Sequence, residues 1–260
     1  MIDLHAHVLP GLDDGPKTLE QSLDVCRQAV SDGTSVIVAV AHANHPDFDP
    51  YPTSAYWEAL ASVQALLQQE SVPLTLLPAM EIRLGPDVVE GYRRGDYLAI
   101  GESGYICIEL PSVDFPLYTL DMLYQLSLEG LRILLIHPER NRALRKRPDL
   151  VDPLINMQIV GVASAGSLLG QFGEEARQAV WTFMDRGLIQ SVSSDGHSVD
   201  KRPLLITPAW EKVQHRYGED AVEEMRAMVP KMMMEGIAVP LDPWPPIKRK
   251  WWSRLAGIHL

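Results

Sequence analysis

Nine side chains spread along the 260-residue sequence are of types that bind divalent cations: His5, His7, Asp14, His42, Glu81, Glu109, His137, Asp195 and His197. Each alone has an ordinary explanation. A His-x-His pair is more often the accident of a polar loop than a metal site, and Glu81 suits a loop charge or a helix-cap acceptor. His137, before Pro138, suits a hydrogen-bonded core histidine, and Asp195-Gly196 is a common turn dipeptide. The ordinary explanations must nevertheless hold independently for all nine residues. One shared metal cluster explains them together.

The donor set restricts the metal. Five imidazoles and four carboxylates with no thiolate suit Mn, Zn or Fe(II). Nine ligands are too many for one ion and suit two or three, with Glu81 and Asp195 able to bridge through their two oxygens. Three divalent ions against four carboxylates leave a net positive centre, which attracts a phosphate dianion and can bring the pKa of water down to about 7. Arg140, three residues past His137, and Arg202, five past His197, can grip phosphate oxygens through a forked contact. The plain alternative for each is a surface ion pair. Arg83 is a weaker third candidate.

The elements that must position these groups follow from hydrophobic patterning. Apolar runs at 2–4, 36–40, 74–80, 105–110, 131–136, 159–162 and 188–192 predict seven strands. Continuous β-branched runs such as 36–40 suit a parallel sheet covered on both faces. Between them lie helical patterns: one from Thr18, where Thr18 and Gln21 have capping-box spacing, then 54–69, a short one after Pro86, 119–129, 149–156 and 174–186. Such alternation predicts an α/β fold with a parallel sheet, open or closed into a barrel. In parallel barrels the reacting groups sit past the C-terminal ends of the strands. His5 and His7 follow strand one, with Asp14 in its loop. His42, Glu81, Glu109 and His137 fall at the ends of strands two to five, and Asp195 and His197 after strand seven. The sixth strand delivers residues 163–167 and no ligand.

After 192 the chain is mainly helical to about 235. Pro240, Pro243, Pro245 and Pro246 then mark a stiff connector, followed by a basic, Trp-rich stretch at 247–254. The expected division is a catalytic domain over 1–239 and a connector and tail over 240–260. The tail is read first as packing on the barrel, with peripheral contact to an anionic membrane or a kinase as the alternative.

Composition excludes several classes. A formal charge of −11 argues against a nucleic-acid binder. The N-terminus has no signal-peptide pattern, and the longest apolar run, 36–41, is too short to span a bilayer. Two cysteines, Cys26 and Cys107, suggest a reducing compartment, so a cytoplasmic location is expected. Neither is followed six residues later by an arginine, as a cysteine-phosphatase loop requires.

Taken together, His5-x-His7, His42, Glu81, Glu109, His137 and Asp195-x-His197 resemble the PHP (polymerase and histidinol phosphatase) superfamily across nearly the whole chain. The opening segment from Met1 through His5, His7 and Asp14 to Gly15 is similar, more specifically, to bacterial tyrosine-protein phosphatases of the CpsB/YwqE type. So are Glu81-Ile82-Arg83, His137-Pro138-Glu139-Arg140 and Ser194-Asp195-x-His197. The resemblance implies a distorted (β/α)7 barrel with three divalent ions, Mn first and Zn or Fe as alternatives. It implies dephosphorylation of phosphotyrosine on a bacterial tyrosine kinase that controls capsule or exopolysaccharide biosynthesis. It also implies that His5, His7, Glu81 and Asp195 hold one metal, Glu81, Glu109 and His137 a second, and Asp14, His42 and His197 a third, with Arg140 and Arg202 on the phosphoryl group. Residues 43–52 depart from the family pattern, and His45 and Asp47 there are not counted as ligands.

The expected reaction is in-line attack of hydroxide on phosphorus, without a phosphoenzyme and with no general acid assigned. Two alternatives stand beside it. One is a small-molecule phosphatase of the histidinol-phosphate kind, or a phosphodiesterase, on the same centre. The other is a regulatory metal-binding module without useful catalysis.

Overall fold

The computed structural model describes residues 1–244, and among these residues nine short strands, all in parallel pairings, form the frame. They are β1 (Ile2–Ala6), β2 (Val36–Ala39), β3 (His42–Ala43), β4 (Thr75–Pro78), β5 (Glu81–Arg83), β6 (Tyr105–Glu109), β7 (Arg132–Ile136), β8 (Val160–Ser164) and β9 (Ile189–Ser193). One sheet has the order β1-β2-β4 and the other β3-β5-β6-β7-β8-β9. Helices connect the longer strands, giving a single-domain α/β fold with parallel sheets.

The second and third strands differ from expectation. The runs at 36–40 and 74–80 each end early, and the chain resumes as β3 and β5, so His42 and Glu81 lie within paired strands rather than in loops. The first halves pair with the β1 side (Val36↔Thr75 through Ala39↔Pro78), while the second halves pair His42 with Glu81 and then Glu81 with Cys107. Pro78 closes β4 because it has no N–H to continue the ladder. The break lets two segments serve both sheets.

Alternation along the strands builds two apolar layers. Ile133 and Leu135 of β7 and Ile106 and Ile108 of β6 join one cluster with the helices Leu19–Ser31, Thr53–Gln69 and Glu174–Asp185. Leu134, Ile136, Cys107, Val160, Val162, Leu4 and Val38 form the other, with Val229, Met233 and Val239 from the C-terminal region. Each fully buried side chain of this size contributes about 1.5–3 kcal/mol. Thr18 accepts from Gln21 N at 3.3 Å and starts the first helix where capping spacing predicts.

A bulge in β1 sets the direction of the first two histidines. The register runs Ile2↔Val36 and Asp3↔Ile37 but then Ala6↔Ala39, one extra residue on β1. An uninterrupted strand would send Ala6 to the side that Leu4 occupies. The extra residue reverses the parity, so Ala6 packs in the helix-side cluster and His5 and His7 meet Glu81. Past the strand ends, Asp195 N donates to His5 O at 3.0 Å and His7 N to Gly196 O at 2.9 Å, joining β1 to the chain beyond β9.

Residues 240–244 are non-helical, and Trp244 is buried, its indole Nε1 donating to Ile189 O at 3.2 Å. The basic Trp-rich tail lies outside the described residues.

Candidate metal centre

Glu81 is the hub. It has no exposed surface, and its Oε2 lies 2.8 Å from His5 Nε2, 3.0 Å from His7 Nε2 and 3.5 Å from His42 Nδ1. Its other oxygen, Oε1, is 3.0 Å from His137 Nε2. Glu109 Oε1 is 3.9 Å from the same His137 nitrogen. Asp195 Oδ1 is 3.6 Å from His5 Nδ1, and Asp14 Oδ1 is 3.7 Å from His42 Nε2 and 3.3 Å from His197 Nε2. The structure thus brings all nine residues singled out in the sequence into one connected group. Four sets among the described residues, each with donor atoms mutually within 4.8 Å, have the composition of metal sites: His5, His7 and Glu81; Glu81, Glu109 and His137; His7, Asp14, His42 and His197; and His42, His45 and Glu109, the last including a histidine not counted as a ligand in the sequence.

Both arginines reach the group. Arg140 Nη1 donates to Asp195 Oδ2 at 2.9 Å, and Arg202 Nη2 lies 2.7 Å from the same oxygen. Arg202 Nη1 also donates to His197 Nε2 at 2.9 Å. Beside Arg140 opens a cavity of about 260 Å³ lined by Glu109, His137 and Phe172 among others, while Arg202 lines a separate, smaller cavity with Asp195 and Phe172. Arg83 does something different. Its Nε lies 3.0 Å from Glu109 Oε2 and its Nη1 donates to Leu110 O at 3.2 Å, so it steadies Glu109 instead of facing the cavity.

Several groups that hold the cluster in place were not singled out in the sequence. Asp13 Oδ2 accepts from His7 Nδ1 at 2.7 Å and from His42 N at 3.0 Å, which fixes the His7 ring with Nε2 turned to Glu81. Asp3, also buried, accepts from Ser194 N at 3.1 Å and from Ser194 Oγ, anchoring the residue before Asp195. Phe172 lies under both guanidinium groups, 4.4 Å from Arg140 Cζ and 5.9 Å from Arg202 Cζ. The His45 side chain, set aside in the sequence, has Nε2 3.7 Å from Glu109 Oε2 and hydrogen-bonds Arg83, while Asp47 stays exposed. The only sequence signal for Asp13 is its place beside Asp14; Phe172 is a single aromatic in a glycine-flanked loop and gives none.

The electrostatics favour cations. Burial pushes His42 down to about 3 and His137 down to about 4, and it lowers His197 too, so these imidazoles are neutral and able to donate a lone pair. His197 Nδ1 donates to Asp195 O at 3.0 Å, which leaves Nε2 as its lone-pair nitrogen. Burial opposes charge on His7, yet Asp13 and Glu81 outweigh it and push His7 up to about 10. Burial and the neighbouring Glu81 push Glu109 up to about 8. Against its own burial, Asp195 is held well below the usual carboxylate range by Arg202 and Arg140. Four buried acceptor-type atoms of these nine residues, His5 Nδ1, His42 Nδ1, Glu109 Oε2 and Asp195 Oδ1, have no hydrogen-bond partner among the described residues. Backbone strain concentrates here as well: His137 (φ 33°) and Asp195 (φ 52°) adopt left-handed conformations, at about 1–3 kcal/mol each.

The family model for capsular polysaccharide synthesis, CpsB/CapC, matches residues 1–235. The chain belongs to the CpsB/CapC family. Within reach of that family lies the tyrosine-protein phosphatase YwqE of Bacillus subtilis, 30% identical over 250 residues, covering 96% of this chain and 98% of that one. Tyrosine-protein phosphatase CpsB of Streptococcus pneumoniae is 25% identical over 230 residues, covering 86% and 94%. A crystal structure from work on YwqE of Bacillus subtilis and CpsB of Streptococcus pneumoniae, described as unique metal-dependent tyrosine phosphatases, superposes with a TM-score of 0.88 at 30% identity, covering 96% of this chain and 100% of that one. Organophosphorus hydrolase from Deinococcus radiodurans shares the fold, with TM-scores of 0.55–0.56 at 16–17% identity over 89% of the chain. No helix among the described residues of this CpsB/CapC member is long and apolar enough to cross a membrane.

Proposed function

We propose that this CpsB/CapC-family chain is a metal-dependent protein-tyrosine phosphatase acting on a phosphotyrosine-bearing protein. Its partner in this reading is a bacterial tyrosine kinase of capsule or exopolysaccharide synthesis. The observation that carries the proposal is the Glu81-centred cluster with Arg140 and Arg202 at its mouth, in a chain similar over nearly its full length to YwqE. The donor set fits divalent cations: it is all imidazole and carboxylate, with unpartnered buried acceptor-type atoms on His5, His42 and Asp195. His5, His7, Glu81 and Asp195 would hold one ion, Glu81, Glu109 and His137 a second, and Asp14, His42 and His197 a third, with Mn the first choice and Zn or Fe behind it. Bound there, such ions supply Lewis acidity and hydroxide at neutral pH.

The chain's own groups do the remaining work. Arg140 and Arg202 orient and neutralise the phosphoryl oxygens, held convergent by Phe172 and Asp195. Asp13 and the Asp195 carbonyl fix the imidazole tautomers of His7 and His197. A phenol leaving group, with parent pKa about 10, departs without a dedicated acid. Thiol chemistry has no support: both cysteines are buried, and burial pushes Cys26 up to about 12 and raises Cys107 as well.

The same reading treats the two sheets as one distorted seven-stranded barrel. It is supported by the hydrogen bonds that join β1 to the chain past β9. The domain is taken as 1–239, with 240–260 as its extension. A cytoplasmic location fits two free cysteines.

Chelation tests the function. Dialysis against EDTA should abolish turnover of a phosphotyrosine peptide, Mn should restore it, and thiol alkylation should leave it intact. Full activity in excess EDTA would refute the proposal. Faster turnover of histidinol phosphate than of the peptide would reassign the site to a small-molecule phosphatase.

A further inference from the structure

The chain carries a formal charge of −11, yet residues 140–147 hold five cations and no acid. Arg140 belongs to the site. Arg145 is spent inside the fold, donating through Nη1 to Glu139 O at 3.2 Å and to Arg140 O at 2.8 Å. The other three, Arg142, Lys146 and Arg147, are exposed, and their side chains have no ion pair or hydrogen bond among the described residues. Their place is specific. Arg142 N donates to Ser112 O at 2.8 Å, and Ser112, Asn141 and Arg145 all line the cavity beside His137 and Arg140. The short helix Arg142–Lys146 therefore leads away from the cavity mouth, with Arg142 and Lys146 on one face at i, i+4 spacing. Beside its start, the loop after β6 exposes Val113 (55%) and Leu117 (105%), and Asn141 Nδ2 ties that loop down through Pro111 O at 2.6 Å and Asp114 O at 2.8 Å.

We propose that Arg142, Lys146 and Arg147, with Val113 and Leu117 on the adjoining loop, form a docking surface for an acidic segment flanking the phosphotyrosine of the substrate. The proposal rests on the phosphatase reading above and deepens it by naming the substrate class. Charge complementarity favours an acidic peptide: three cations without a side-chain partner among the described residues lie on the segment that leads from the cavity in a molecule of net charge −11, where they attract such a peptide and steer it to the cavity. Spacing adds a second constraint. Arg142 and Lys146 are about 6 Å apart along the helix axis, and alternate residues of an extended peptide are separated by about 6.6 Å on one face. Acids at alternate positions match the two cations, and the residues between them face the other way.

The test uses the full chain loaded with Mn and three probes. These are a phosphotyrosine peptide with Glu at alternate flanking positions, the same peptide with Gln there, and p-nitrophenyl phosphate, which has no flank. Wild type should prefer the acidic peptide by about tenfold in kcat/KM at low salt, and the preference should shrink as salt rises. The triple variant Arg142→Gln, Lys146→Gln, Arg147→Gln should lose that preference while keeping p-nitrophenyl phosphate turnover within about twofold. No preference in wild type, its survival in the triple variant, or an equal loss on p-nitrophenyl phosphate would overturn the docking role. So would a triple variant that loses sedimentation with phosphatidylserine vesicles while its peptide preference is intact, since the surface would then serve a membrane. If no probe is turned over at all, the phosphatase reading fails instead. Fluorescence anisotropy of the two labelled peptides then decides docking alone: tighter binding of the acidic peptide to wild type than to the triple variant upholds it, and equal binding removes it.

Discussion

Four imidazoles converge on the buried Glu81 carboxylate, and the cost of burying so many polar groups is what makes the site chemically informative. His7 pushed up to about 10 and Glu109 up to about 8 both hold a proton at pH 7 when no cation is present. A cation ligated by either group must displace that proton, so metal affinity rises with pH through neutrality. Calorimetry of Mn binding at pH 7, in two buffers of different ionisation enthalpy, should show roughly one to two protons released per molecule; binding without proton release would remove His7 and Glu109 from the ligand set. His137→Ala should lower turnover by about 10²-fold or more with the circular-dichroism spectrum unchanged, and near-wild-type turnover would exclude His137 from the chemistry. The nine candidate groups stood out because eight lie at or just past the end of an apolar run and Asp14 lies in the loop after the first, all of metal-binding type. Asp13, Asp3 and Phe172 were not, because a residue that orients another needs no fixed spacing from it. His45 was discounted for departing from a pattern, whereas its contact with Glu109 arises from the pairing of β3 with β5.

The short elements decide where those groups point. Strands one and four to seven were readable from their apolar runs, and the helix starting past Thr18 from its cap. The breaks that separate β2 from β3 and β4 from β5 were not, since nothing local except Pro78 marks a segment that changes pairing partners. The β1 bulge is equally silent in the sequence, although it turns His5 and His7 toward Glu81. Gly196 shows how tightly the last loop is drawn: a Cβ there would lie 2.5 Å from Leu204 Cγ and 3.0 Å from Leu204 Cα. Gly196→Ala should cost about 1–3 kcal/mol and shift Asp195 and His197 on either side of it. Thermal unfolding should show a lower Tm, and turnover should fall with it; an unchanged Tm and turnover would show that the loop has room to spare.

On the scale of the whole molecule, two parallel sheets place groups from residue 5 to residue 197 at one end of the strands, above an apolar layer floored by Val229, Met233 and Val239. The α/β class followed from alternation alone, but the division into two sheets depends on the two broken strands and so was visible only in three dimensions. The acidic net charge and the cation-seeking cluster belong together, because bound ions offset carboxylates that the fold has brought into contact. The most direct test of that idea is crystallographic. Crystals grown with Mn should give anomalous difference peaks at the Mn edge beside Glu81, with two or three ions about 3.5–4 Å apart and Asp14, Glu81, Glu109, Asp195 and the five histidines around them. A well-ordered map with no anomalous peak at Glu81, or with Glu109, His137 and His197 turned away from one another, would contradict the metal centre.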